Sequence, residues 1–427
     1  MIDIGDKMEI RSDQVARGIA PATAQTSTSQ KGETGADAPY RWVALFVVWG
    51  AFLLSYVDRV AWSSVAAPVG QSLGLPVAML GAFVTAFYIG YVVANLIGGV
   101  VSDTLGGRLT LTLALVPLGI STFCFSYAHS LSSGIGIQLV MGLAAGADYS
   151  AGMKIIAAWF QKDRGRAMGI YTTATSLAVV TANMTIPPIS AAHGWQIAFR
   201  LLGALTLFWA IVAVALLRNS PNKTKSPRVT RSDLASLLRK RTLVLLSVAG
   251  FFALWGVIGF TSWANALMTK GLGITPVTAG AIMATYGIGA ALAKPGIGWV
   301  SDLIGGRRML ISMVVLALFA VALVLFGQAK TISELYILAP ILGVFSYGYL
   351  PLLMAELTEA SGAALAGAAA GWSNAVWQLG SALSPIMVGQ VFSHTRSLPS
   401  AMLVLLLGPV LAIVALAFIR TPSKAPA

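Results

Sequence analysis

Twelve predominantly apolar runs, each of about twenty residues or more, alternate with polar connections: 41–67, 77–101, 109–128, 132–158, 167–190, 196–218, 242–269, 276–300, 309–327, 332–357, 364–391 and 399–420. A helix needs about 20 such residues to cross the hydrocarbon core of a bilayer, so each run predicts a membrane-spanning helix. Prolines inside the runs (Pro117, Pro187, Pro188, Pro295, Pro340, Pro351 and Pro385) fit this reading, because neighbouring helices re-satisfy the backbone groups they free. One connection, 219–241, is long and polar, and it divides the runs six and six. The expectation is an all-α integral membrane protein with twelve transmembrane helices in two pseudo-symmetric six-helix bundles. Its parts are a disordered tail over 1–40, a bundle over 41–218, a cytoplasmic linker over 219–241, a second bundle over 242–420 and a short tail over 421–427.

Composition agrees. Of 427 residues 57% are hydrophobic and 10% charged, against roughly a quarter charged in a soluble domain. The net charge of +13 does not point to nucleic acid, because the basic residues sit in the connections. Arg108, Lys162, Arg164, Arg166, Arg218, Lys223, Lys225, Arg228, Arg231, Arg239, Lys240, Arg241, Arg307 and Arg308 fall on one side, and Arg200, Lys270, Lys330 and Arg396 on the other. That asymmetry places the first side and both termini in the cytoplasm, with the chain in the plasma (inner) membrane. Residues 1–40 carry six acids and four bases among small polar residues, a disordered composition without the apolar core of a signal peptide. A single cysteine, Cys124, excludes a disulfide framework. Three histidines, His129, His193 and His394, fall in expected outer loops, so no metal or cofactor is expected.

A repeat crosses the midpoint. Gly98-Gly99-Val100-Val101-Ser102-Asp103-Thr104-Leu105-Gly106-Gly107-Arg108 closes the second run, and Gly296-Ile297-Gly298-Trp299-Val300-Ser301-Asp302-Leu303-Ile304-Gly305-Gly306-Arg307-Arg308 closes the eighth. One motif at matching positions of two halves is the mark of a duplicated transporter. Its glycines allow close helix contact and a tight turn. Asp103, Arg108, Asp302 and Arg307 are suited to lock helix ends in one conformation and release them in another. A single copy reads equally as a capped turn, but two equivalent copies do not.

The paired G-x-x-S-D-x-x-G-G-R motifs, the twelve runs and the basic central loop resemble the major facilitator superfamily over about residues 40–420. Within it, Tyr56-Val57-Asp58-Arg59 with Ala66-Ala67-Pro68 resembles the first-helix signature of the anion:cation symporters. Trp159-Phe160-Gln161-Lys162-Asp163-Arg164-Gly165 is similar to the loop after their fourth helix. The resemblance implies a proton-coupled transporter of organic anions, with the Asp taking the proton and the Arg the anion.

Of 43 charged residues only Asp58, Arg59, Asp148, Lys154 and Lys294 lie well inside apolar runs. A charge there costs about 2.5–3.5 kcal/mol on insertion scales and marks a pathway or a buried pair. Asp58 and Arg59 are adjacent, hence about 100° apart on a helix, a poor geometry for pairing with each other. Arg59 reads as the anion-binding group and Asp58 as the proton acceptor; the alternative is a structural ion pair. Lys294 sits in Ala293-Lys294-Pro295-Gly296, which resembles the eighth-helix A-R-P-x-x-G of monocarboxylate transporters, whose Arg binds the carboxylate. At about 10 Å from one helix end, against about 14 Å from the other for Arg59, both approach the midplane. Snorkelling to the surface is the other reading of Lys294, and the favoured one for Lys154.

The fourth run departs from the symporter pattern. Gln138 stands where those proteins carry Arg, and Ala145 where they carry Glu. Asp148, almost one turn on, is a candidate replacement as second proton site, or else a structural Asp. Tyr88, Tyr91, Gln138, Asn265, Asn374 and Gln378 supply neutral polar groups on other helices, suited to substrate or to interhelical hydrogen bonds. The expected activity is proton-coupled symport of a monocarboxylate, sugar acid or aromatic acid by a monomer. Sodium is not excluded as the coupling ion. A proton-antiport exporter is the first alternative, although Ala182-Asn183-Met184-Thr185-Ile186-Pro187-Pro188 lacks the exporter's fifth-helix glycines. A solute sensor fits less well, since the loop and tail are short. No nucleotide-binding loop is present, and no paired carboxylates or Cys–His pair suggest an enzyme.

Overall fold

The apolar runs fold as twelve long helices: α1 (Asp37–Ser72), α2 (Val77–Leu105), α3 (Gly107–Phe125), α4 (Leu131–Trp159), α5 (Arg164–His193), α6 (Trp195–Leu216), α7 (Arg241–Gly271), α8 (Pro276–Leu303), α9 (Arg308–Gln328), α10 (Ile332–Ser361), α11 (Ala366–Thr395) and α12 (Leu398–Ala417). This is a computed structural model, and it describes residues 37–160, 163–218, 237, 239–303, 307–362 and 365–419. Within these helices the side chains of 37, 38, 99, 100, 103, 164, 165, 295, 298, 299, 302 and 366–368 are also outside the described set. The tails and most of the 219–241 linker therefore lie outside the described residues. From Trp42 onward the chain is one compact unit.

Ten of the helices are long and apolar enough to cross a membrane. The two that fall short, α5 and α11, carry Thr, Ser, Asn, Gln and Pro among their apolar positions. Both meet the opposite half, α5 against α8 and α11 against α2. His193 and His394 lie in the last turns of α5 and α11 rather than in loops, because each helix runs a few residues past its apolar stretch.

The repeat extends well beyond the sequence motif. Gly81 and Gly280 are each the fifth residue of their helix, and Gly90 and Gly289 each the fourteenth. A Cβ on Gly90 would strike the Leu139 backbone of α4, and one on Gly289 the Pro340 backbone of α10. The same close crossing thus joins α2 to α4 and α8 to α10, small residues letting backbones approach. Helices α4 and α10 also start alike, Ser130 capping with Ser133 and Thr331 with Glu334. Both are interrupted, α4 at Gly146-Ala147 and α10 at Tyr349. The Gly142 face of the first crossing gives a test. A Cβ there would run into the Phe87 carbonyl oxygen, whereas Gly136 has no neighbour within 4 Å. Gly142→Ala lowers the thermal unfolding midpoint by several degrees, as overpacking of about 1–3 kcal/mol requires, and Gly136→Ala leaves it unchanged.

The two ends of the molecule differ. At the end where Gly194 joins α5 to α6, the halves touch directly: Gly81 of α2 faces the Pro385 backbone of α11, and Gly280 of α8 faces Asn183 and Pro187 of α5. At the other end Gly106 alone joins α2 to α3, at φ 84° and ψ 155°, a region essentially reserved for glycine. That is the tight turn expected of the first motif. There Arg108 donates to the Val214 carbonyl of α6 at 2.8 Å. Lys154 does not snorkel: its Nζ donates to the Ser102 carbonyl at 2.7 Å and so holds α4 to the end of α2. The side chains of Asp103 and Asp302 lie outside the described set, and Arg307 immediately precedes α9.

Candidate functional site

A cavity opens between the halves around Arg59. It is lined from α1 by Tyr56, Arg59, Val60, Trp62 and Ser63, from α2 by Val84, Phe87 and Tyr88, from α4 by Gln138 and from α5 by Val179. The second half adds Ile258, Thr261 and Ser262 of α7 and Tyr347 of α10. The cavity is narrow, about 30 Å³, room for water rather than for an organic acid without widening. Arg59, Tyr88 and Gln138 are thus brought together. Tyr91, Lys294, Asn265, Asn374 and Gln378 do not line it.

The guanidinium of Arg59 is boxed by rings, with centroids at 4.0 Å for Tyr91, 4.7 Å for Tyr56, 5.5 Å for Phe87 and 5.7 Å for Tyr88. Helical spacing explains it: Phe87, Tyr88 and Tyr91 share one side of α2, and Tyr56 precedes Arg59 by a turn of α1. Cation–π attraction, about 2 kcal/mol or more when desolvated, keeps the charge in place without cancelling it. Nε has no hydrogen-bond partner and no ion pair reaches Arg59 among the described residues. A buried guanidinium in this state is chemically suited to receive an anion. Gln138, 3% exposed, points into the same space and has no hydrogen-bond partner among the described residues.

The two buried carboxyl groups sit in different places. Asp58, 1% exposed, turns away from the cavity. Its Oδ2 accepts from Thr206 of α6 at 3.0 Å, Thr122 of α3 lies beside it, and Oδ1 is unpartnered. Adjacent on the helix, Asp58 and Arg59 therefore serve different surroundings. Asp148, also 1% exposed, opens the second segment of α4, after the interruption. Neither of its oxygens has a hydrogen-bond partner among the described residues, and the nearby Ser55 Oγ and Tyr171 Oη are likewise unpartnered. It is Asp148 whose charge interacts through space with that of Arg59.

Of the remaining expected residues, Lys294, Asn374 and Asn265 join helices. Lys294 Nζ contacts Thr175 Oγ1 and the Thr172 carbonyl of α5, and lies 5.5 Å from the Tyr347 ring. It bridges α8 and α5 across the halves and is not among the lining residues. Asn374 of α11 donates to Asn95 Oδ1 of α2 at 3.4 Å, a second bridge between halves. Gln378 accepts from Ser381 within α11 at 3.0 Å. Asn265 of α7 donates to Asn183 Oδ1 of α5 at 2.8 Å and to Ser63 Oγ of α1 at 3.4 Å, while Ser64 donates to the same Asn183 oxygen at 3.3 Å. Asn183, Phe87, Val179 and Tyr347 were not expected at the site. Only Asn183 carries a sequence signal, a lone amide inside an apolar run.

The model of the Major Facilitator Superfamily matches residues 47–385 and 246–427. The chain belongs to the Major Facilitator Superfamily. This superfamily member is 26% identical over 244 residues to the probable L-galactonate transporter of Escherichia coli, a match covering 52% of this chain and 51% of that protein. The chain thus spans about half the length of that relative. It is 24% identical over 392 residues to a probable sulfoacetate transporter of Cupriavidus necator, covering 84% of this chain and 88% of that one. Against the hexuronate transporter of Bacillus subtilis it is 22% identical over 262 residues, covering 59% and 62%. Among solved structures it is similar to a bacterial homolog of the human lysosomal transporter Spinster in an inward-facing, occupied conformation. The TM-score is 0.75 at 16% identity, over 89% of this chain and 96% of that one. A multi-pass membrane transporter fold follows from the superfamily and from the apolar helices.

Proposed function

We propose that the protein carries a small organic anion into the cell together with protons, the halves α1–α6 and α7–α12 alternating in access to the cavity. One observation carries the reading: a buried guanidinium held by rings, with no carboxylate bonded to it among the described residues, in a cavity between the halves. The acids named for the relatives, galactonate, sulfoacetate and hexuronate, support an anion as substrate. Arg59 binds the anion, and Gln138 and Tyr88 supply hydrogen bonds beside it. Lys294 and Asn374, with Asn265 at the other end, are assigned to contacts that form and break as the halves rock. The basic connections support a cytoplasmic position for the Gly106 end.

Asp58 and Asp148 are the assigned proton carriers, since each is a buried carboxyl without a cation bonded to it. Protonated, Asp148 leaves the whole charge of Arg59 to the substrate; deprotonated on the cytoplasmic side, it competes and helps expel the anion. The test is uptake of a radiolabelled organic acid into proteoliposomes. Uptake rises with an inward proton gradient, and an equal rate after the gradient is collapsed, or one that follows a sodium gradient instead, removes proton coupling. Asp58→Asn retains substrate affinity within about two-fold, because Asp58 does not reach the cavity, but loses gradient-driven accumulation.

A further inference from the structure

We propose that Tyr171 of α5 is a positioning residue for the proton on Asp148. Its hydroxyl donates to the ionised carboxylate, keeps its own proton throughout, and so sets the pH at which Asp148 releases its proton. This rests on the reading of Asp148 as a proton carrier, and it supplies a reason for so buried a carboxyl to ionise.

Four buried oxygens from three helices carry the inference. Asp148 Oδ1 and Oδ2 of α4, Ser55 Oγ of α1 and Tyr171 Oη of α5 all lack a hydrogen-bond partner among the described residues. Unmatched polar groups are costly in a dry interior, and these match one another. An ionised carboxylate only accepts, while each hydroxyl has one proton to donate. Asp58 shows a hydroxyl already in such a role, with Thr206 donating to its Oδ2.

The ring of Tyr171 is fixed in place. It is fully buried and stacks on Phe52 at 4.7 Å and on Tyr149 at 6.1 Å. Its hydroxyl lies against Gly152, where a Cβ would collide with Oη. Gly152 is one turn beyond Asp148, on the same face of α4, so the missing side chain is what admits the hydroxyl to that face. Tyr171 and Asp148 also interact through space. The other charged or titratable groups around them are Arg59 of α1, Tyr149 of α4 and Tyr91 of α2. Lys154, farther along α4, and Arg108, at the start of α3, donate to the Ser102 and Val214 carbonyls.

The experiment is an infrared pH titration of the purified full-length protein in liposomes. It reads the carbonyl stretch of the protonated carboxyl, with the Asp148 band assigned by its loss in Asp148→Asn. Removing a donor to the ionised form favours the protonated one. Tyr171→Phe is therefore expected to raise the Asp148 midpoint by about one pH unit, while thermal unfolding stays near wild type because the ring and its stacking remain. Ser55→Ala raises the midpoint too, and so does Gly152→Ala, which displaces the hydroxyl without deleting it. Should Gly152→Ala fail to fold, the other two variants decide. A midpoint in Tyr171→Phe equal to or below that of the wild type overturns the proposal and leaves proton coupling standing. The expected shift, in a protein whose uptake ignores the proton gradient, supports the positioning role and removes the coupling. An Asp148 band that does not titrate over the pH range in which the protein stays folded overturns both.

Discussion

Replacing Arg59 with alanine abolishes substrate binding while the protein still folds. Truncating one partner of a buried charge pair costs about 2–5 kcal/mol, so Kd rises by about 30-fold to several thousand-fold at 1.4 kcal/mol per decade. The rings around Arg59 pack on one another without it: Phe87 and Tyr91 lie 6.1 Å apart and stacked, and Phe87 and Tyr88 5.5 Å apart edge to face. The variant should therefore keep a cooperative thermal transition but show no ligand-induced shift. Arg59→Lys restores little. An ammonium keeps the charge but not the flat fork that lies between Tyr91 and Tyr56 and meets a carboxylate at two points. Near-normal affinity in Arg59→Ala would remove the residue from the site, and a loss of folding would show that the guanidinium was structural.

Asp148→Asn makes substrate affinity independent of pH. In the wild type acid favours binding, because protonation removes a negative charge that acts on Arg59. Even at an effective dielectric near 20, charges several ångströms apart interact by more than the thermal energy, so affinity weakens several-fold between the protonated and deprotonated forms. The asparagine holds the protonated charge state at every pH. Affinity should then stay at the acid value, exchange of substrate across the membrane should persist, and accumulation against a gradient should fail. These outcomes separate Asp148 from Asp58, whose substitution leaves affinity alone. An unchanged pH profile in Asp148→Asn would move the coupling elsewhere.

The helices were legible in the sequence because a membrane solvent demands long apolar runs, and each run became one helix. The interruptions at Gly146 and Tyr349 were not, since a helix that is apolar on nearly every face has no periodicity for a break to disturb. Among site residues, Arg59 stood out as a charge with no solvent to hold it. Tyr88 followed from helical spacing on the second run, and Gln138 from standing where the resembled symporters carry Arg. Lys294, Asn265, Asn374 and Gln378 were equally polar in the sequence, yet the first three bridge helices and Gln378 bonds within its own. Spacing shows which residues share a face, but not which neighbour the face meets. Phe87, Val179 and Tyr347 carry no signal among so many aromatic and aliphatic positions.

The Ser64–Asn183–Asn265 cluster joins α1, α5 and α7 without a single charge. A fastening of neutral amides and hydroxyls holds equally well whatever the cavity contains, so it cannot tell a loaded protein from an empty one. Discrimination must then come from the electrostatic cost of sealing the cavity from water. Arg59 with an ionised Asp148 is neutral, and Arg59 with a monoanion and a protonated Asp148 is neutral too. Arg59 with the proton alone, or with the anion and an ionised Asp148, carries an uncompensated charge into the sealed state. With Asp148 as the coupling group, only the empty and the doubly loaded forms cross at low cost. At this site transport is then tied to one proton per monoanion, and a second proton carried on Asp58 adds one positive charge per cycle and makes transport sensitive to the voltage across the membrane.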